Sequence, residues 1–174
     1  MVIQMKTDTI EHIKRFIENE SETSKIYIGC DSESYKRHGV RYADYYVVVV
    51  IHKNGRNGCK IFGEKITEAD YTANVKKPTY RLMNEVYKAA QLYLELAESI
   101  GDREVEIHLD INSNRRHASS AVLDQAVGYI KQSCNIVPLV KPHSWAATHC
   151  ADKLLKNVNA GVKRCNPQLS HVGT

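Results

Sequence analysis

The sequence predicts an α/β chain of mixed α+β layers: a five-stranded mixed sheet in the order β-β-β-α-β-α-β-α, flanked by helices, with an extra N-terminal helix. Three observations carry this. Residues 26–66 hold apolar or alternating runs separated by polar stretches, the pattern of an antiparallel meander. From about residue 80 onward, helix-period and strand-period segments alternate, the pattern of crossover connections and parallel pairing. A chain of 174 residues, 43% hydrophobic and 25% charged, has the composition of an ordinary globular protein and is long enough to bury a core without disulfides or structural metal. One domain is expected over 1–174, with a core at about 8–157 and a loose tail at 158–174.

Residues 8–20 come first, with Ile10, Ile13, Phe16 and Ile17 at helical spacing; Asp8 and Glu11 have the spacing of a capping box. Ser-Glu-Thr-Ser ends that helix. The strand Ile26 to Asp31 follows, with Ile26, Ile28 and Cys30 on one face and Tyr27, Gly29 and Asp31 on the other. Residues 34–44 read as a polar, basic connection. Tyr45 to Ile51 is too rich in β-branched residues to be half exposed and predicts an interior strand. Turn signals in Lys53 to Gly58 lead to an alternating strand, Cys59 to Ile66.

Pro78 and Thr79 introduce a long helix, about Tyr80 to Ser99, stopped by Gly101. Alternating Glu104 to Asp110 predicts a fourth strand, and a polar loop, Ile111 to His117, leads to a helix at about Ser119 to Ser133. Ile136 to Val140 is the fifth strand. Ser144 is the expected cap of a last helix reaching about Lys156.

Formal net charge is +4, a mild basic excess that permits a polyanionic partner without demanding one. The five cysteines are scattered, with no Cys-x-x-Cys pair, so neither a disulfide framework nor a zinc site is suggested, and reduced thiols in a cytoplasmic setting fit best. No apolar run approaches the roughly 18 residues of a membrane helix, and the N-terminus has no leader-like core. Neither a membrane span nor export by the usual route is expected.

Chemistry points to the carboxylates. Asp31 and Asp110 each end a strand, and if those strands are parallel neighbours both side chains emerge at one sheet edge. Glu85 lies in the second turn of the long helix and Asp152 in the last helix. Each alone reads as a surface acid or a salt-bridge partner; four at such places together are harder to dismiss. Clustered carboxylates stay ionised only with cations among them. Oxygen-only ligation suits Mg2+ or Mn2+, and two such ions about 4 Å apart activate water for in-line attack on a phosphodiester.

The element order and these acids resemble the ribonuclease H-like superfamily. The words Ile-Gly-Cys-Asp31-Ser, Leu-Asp110-Ile-Asn-Ser-Asn and Lys-Pro-His143-Ser-Trp-Ala-Ala-Thr-His-Cys-Ala-Asp152-Lys-Leu are most similar to its bacterial YkuK-like family. The resemblance implies a metal-dependent nuclease in which Asp31 is shared by both ions, Glu85 is the helix ligand, Asp110 holds the ion near the nucleophile, and Asp152 completes the set. By the same resemblance His143 assists proton transfer or product release; a substitute ligand and a solvated loop residue are the other readings of it. His149, one helical turn before Asp152, either faces the same site or is a partly buried helix residue. Type 1 ribonuclease H carries Gly after its first Asp and polar residues before its helix Glu. Asp31-Ser32 and Lys-Lys-Pro-Thr-Tyr-Arg stand here instead, so RNA, DNA and hybrid all stay open as substrates.

Asp31-Ser-Glu33 also resembles the opening word of DEDD-type 3'-5' exonucleases, which would make Glu33 an optional ligand. Thr148 and Ala147 stand where that family has its general base. An exonuclease or junction resolvase is thus a minor alternative, and a catalytically silent nucleic-acid- or protein-binding module on the same fold is the main one. Contacts to nucleic acid are expected near the acidic edge from Lys36, Arg37, His38 and Arg41, from Lys76, Lys77 and Arg81, and from Arg115 and Arg116. Trp145 is expected either to stack on a base or to join the core.

Overall fold

In the computed structural model, which describes residues 5–150 apart from Val75, Lys77 and Arg115, the run from Tyr45 to Ile51 is buried throughout. It forms part of β2 (Val40–His52), between β3 (Cys59–Ala69) and β1 (Lys25–Arg37). With β4 (Val105–Asn112) and β5 (Leu139–Lys141) the sheet runs β3-β2-β1-β4-β5. Both hairpin pairs are antiparallel, and β1/β4 and β4/β5 are parallel. The mixed sheet and its expected order are as the sequence predicts.

Three helices, α1 (Thr7–Glu18), α2 (Thr79–Ile100) and α3 (Leu123–Cys134), place their apolar stripes in one core. The sheet side of that core is Ile26, Ile28 and Cys30 of β1, Val47 and Val49 of β2, and Ile107 and Leu109 of β4. Gly101 closes α2 with φ 57°, a left-handed angle that a side chain resists. The other face of the sheet carries Tyr27, Tyr46, Val48, Val50 and Ile61, with Cys150 packed among them. That side chain belongs to a wide π-type turn, Ala146–Cys150, the start of the expected last helix. Its continuation, with Asp152, Cys165 and the expected tail, lies outside the described residues, as do Lys77 and Arg115.

Four expectations need correction. Residues 34–44 are not a connection: β1 and β2 stay paired out to Arg37↔Val40, and only His38 and Gly39 make the turn. Their φ values, 50° and 80°, are both left-handed, as a two-residue hairpin turn matched to strand twist requires. It follows that Asp31 lies one residue past the last pair with β4 and not at the end of its strand, and Asp110 likewise precedes the end of its own. The capping box is absent. The helix begins at Thr7, the Lys6 N–H donates to Glu64 of β3 at 3.0 Å, and Glu11 instead pairs with Lys14 at 3.0 Å. Finally, β5 starts at Leu139 because Pro138 has no N–H to give a ladder, and Ile136 packs on the core instead.

Candidate active site

Side-chain alternation along two parallel strands builds the site. Pairing of β1 with β4 runs from Ile26↔Val105 to Cys30↔Leu109. Asp31 and Asp110 therefore occupy the next rung of neighbouring strands, which lie about 4.8 Å apart. Both point to the face that carries Tyr27 and His108, the face covered by the turn at Ala146–Cys150. The Ser32 N–H donates to Asp31 Oδ1 at 2.8 Å and fixes that carboxylate. Lys141, at the end of β5, forms an ion pair with Asp110.

Glu85 approaches from α2 and is 3% exposed. Its pKa is raised well above the usual carboxylate value, first by burial and then by repulsion from Asp31, with Asp110 adding to it. Two groups oppose the rise: the Ser32 hydroxyl donates to Glu85 Oε1, and Arg81 Nη1 lies 3.6 Å from the same oxygen. Arg81 also donates to the Ser32 carbonyl and hydroxyl, each at 2.7 Å. Its guanidinium, expected near the acidic edge as a contact to nucleic acid, tethers α2 to the strand beside Asp31. Asp31, Glu85 and Asp110 are within electrostatic reach of one another; Asp152 lies outside the described residues.

Three groups that the sequence did not single out belong to this arrangement. Ser32 and Lys141 are the partners of Glu85 and Asp110. His108, fully buried two residues before Asp110, accepts a hydrogen bond from the Ala146 N–H on Nδ1 at 3.0 Å and donates from Nε2 to Glu106 at 2.9 Å. Burial lowers its pKa against the raising effect of Glu106, which keeps the ring neutral and Nδ1 an acceptor. Trp145, 39% exposed, rests on Tyr27 at 4.6 Å and on His108 at 5.4 Å. It is thus packed on one side and exposed on the other, and joins the core only in part.

Next to Asp110 an open groove runs past Asn112, Asn114, His117, Lys141, Trp145 and His149. His149 is exposed there, and His143 is exposed in the turn before it, its N–H donating to the Val140 carbonyl at 2.9 Å. Arg116 is exposed in the loop after β4, and Lys76 is exposed before α2. Lys36, Arg37, His38 and Arg41 lie along the distal hairpin, carried outward from the acidic edge by the strand extension. Glu33, also exposed, faces Asp44 across β1 and β2 on the side of Asp31.

Among the described residues no three His, Cys, Asp or Glu side chains stand close enough together to hold a cation as they are placed. Lys141 and Arg81 supply positive charge among the acids. The donor chemistry nevertheless fits a hard divalent ion. The available groups are carboxylate oxygens, and the pKa of Glu85 is raised by burial first and by the nearby aspartates second, in spite of Arg81.

A family model describing ribonuclease H-like proteins matches residues 8–156. The chain belongs to the ribonuclease H-like family. Comparisons with curated proteins and with solved structures gave no significant match. No helix among the described residues is long and apolar enough to cross a membrane.

Proposed function

We propose that the protein is a metal-dependent nuclease that hydrolyses phosphodiester bonds of nucleic acid. The observation that carries the reading is the convergence of Asp31, Asp110 and buried Glu85, whose pKa is raised first by burial and then by repulsion from the two aspartates. Family membership supports it, and the words around Asp31, Asp110 and His143 favour the YkuK-like branch. Asp31, Glu85 and Asp110, with Asp152, would hold Mg2+ or Mn2+. Two bound ions would supply an activated water and charge stabilisation for the leaving oxygen. The chain's own part is to hold these oxygens rigidly: Asp31 by the Ser32 amide, Glu85 by Ser32 and Arg81.

Labelled hybrid, single-stranded, duplex and branched substrates, incubated with Mg2+ or Mn2+ and in EDTA, test the reading. Cleavage that needs the metal and disappears in Asp110→Asn supports it; cleavage unaffected by EDTA, or none on any substrate, removes it. In the same assay Arg81→Ala is expected to lower the rate about 10- to 100-fold, the usual cost of losing a group that orients a metal ligand. The salt dependence of binding should hardly move. A shallower salt slope would instead mean that Arg81 meets phosphate.

A second reading has an observation of its own. Lys141 on Asp110 and Arg81 beside Glu85 are built-in cations that partly neutralise the acids. A catalytically silent nucleic-acid-binding module would use them in place of metal. It would bind oligonucleotide in EDTA, and neither Mg2+ nor Mn2+ would raise its melting temperature.

A further inference from the structure

The β1–β2 hairpin extends past the point where β1 leaves β4, and this arm has an organised face. Alternation from Asp31 outward puts Glu33 and Asp44, then Tyr35 and Tyr42, then Arg37 and Val40 on one side. The Tyr35 and Tyr42 rings stack across the strands, 6.0 Å between centroids and 26° from parallel. Tyr35 is 37% exposed although its hydroxyl is anchored, donating to Asp44 Oδ1 at 3.3 Å. Asp44 is itself buried and is held by the Thr67 hydroxyl at 2.6 Å and by Lys65 at 3.4 Å. The ring is therefore fixed at its hydroxyl end and open on its outer side. A cavity of about 320 Å3 lies over it, bounded by Tyr35, Tyr42, Thr67, Val40, Arg37 and His38.

Arg37, on the face of the rings, and His38 in the turn edge the cavity, while Glu33 and Asp44 stand one rung back toward the acidic site; Lys36 and Arg41 face each other on the opposite side of the arm. Among the described residues Lys36, Arg37 and Arg41 form no salt bridge. A fixed, half-exposed aromatic pair with a free Arg37 at its edge is the composition of a single-strand stacking platform: the ring takes a base and the guanidinium takes a phosphate. The same face leads back to the acidic site, since Tyr35 lies four residues along β1 from Asp31, about 13 Å at strand spacing.

Resting on the nuclease reading, we propose that the arm is a subsite for an unpaired nucleotide of the substrate. A base stacks on Tyr35, backed by Tyr42, and its phosphate meets Arg37. The substrate class is nucleic acid with a single-stranded segment lying along β1 beyond the acidic cluster.

Fluorescence anisotropy in EDTA, with a labelled single strand of about 12 nucleotides and a blunt duplex of the same sequence, separates binding from cleavage. Tyr35→Ala and Tyr42→Ala are each expected to weaken single-strand binding about 5- to 100-fold, the range found for base–aromatic stacking. Duplex affinity should change less than about 2-fold. Tyr35→Phe, which keeps the ring and loses the hydroxyl, should bind like wild type to within about 2-fold. Arg37→Ala, at an exposed position of the arm, should lower the salt slope by roughly 0.7, as one phosphate contact on a single strand does. Equal losses on strand and duplex, a Phe variant as weak as the Ala variant, or unchanged single-strand binding together with an unchanged salt slope would each overturn the proposal. If the wild type cleaves and the arm variants bind as it does, the subsite falls and the nuclease reading stands. If the wild type neither binds nor cleaves, both fall.

Discussion

Asp31→Asn is expected to leave the protein folded and to reduce metal-dependent cleavage more than about 100-fold, beyond the about 10- to 100-fold typical of losing an outer partner. Asn keeps the oxygen that accepts the Ser32 N–H, so the local hydrogen bond at 2.8 Å survives. What disappears is one charge from a site in which Glu85 is already hard to ionise, first because it is buried and then because Asp31 is near. The substitution therefore relieves repulsion while removing a ligand. Melting temperature in EDTA should hold or rise, and initial rates in Mg2+ or Mn2+ should collapse. Asp110→Asn is the less clean companion, since it also strips Lys141 of its ion pair. An Asp31→Asn enzyme retaining a tenth or more of wild-type activity would refute a site centred on that residue.

Glu85→Gln is expected to stabilise the metal-free protein, and to do so more as pH rises. Folding raises the Glu85 pKa above its ordinary 4.5, through burial first and then through Asp31. Just above pH 4.5 the unfolded chain has released this proton and the folded chain still holds it. Stability therefore falls as pH climbs from about 4.5 toward the raised value, and the whole penalty is present above it. Each unit of elevation corresponds to about 1.4 kcal/mol. For a chain of this size, 1 kcal/mol moves the melting temperature by about 2–4 °C. Gln does not titrate, so melting curves in EDTA should show the variant above wild type by several degrees at pH 8 and by little at pH 4.5. Mg2+ should raise the wild type, by mass action on the folded state, and leave the variant nearly unmoved. A gap that is flat with pH would mean that the buried carboxylate carries no such penalty.

How much of this the sequence discloses depends on where apolar side chains have to go. Tyr45 to Ile51 reads as interior strand because nothing but burial on both faces suits it, and the alternation of Ile26, Ile28 and Cys30 places Asp31 on the correct face. Residues 34–44 carry no such signal. The two strands there leave the core, so their polar side chains stay polar, and the turn is His38-Gly39 in place of the familiar Asn-Gly. Helix starts are equally local in appearance and not in cause: the helix begins before Asp8, and Glu64, far along the chain, accepts from the Lys6 N–H at that start. Asp31, Asp110 and Glu85 are legible because strand alternation and helix period are, although neither aspartate ends its strand. Their partners are not. Lys141 reaches Asp110 through an irregular register between β4 and β5, and Ser32 meets Glu85 only because α2 crosses the sheet at that height.

The early end of the β1–β4 pairing also divides the molecule by timescale. Asp31 and Asp110 follow directly on amides locked between strands and covered by helices, which open only when much of the fold opens. Two residues beyond Asp31 the same strand has one neighbour fewer and solvent on both sides of its tip. A single β-strand thus runs from a part of the fold whose amides are expected to exchange slowly into a tip whose amides are expected to exchange fast.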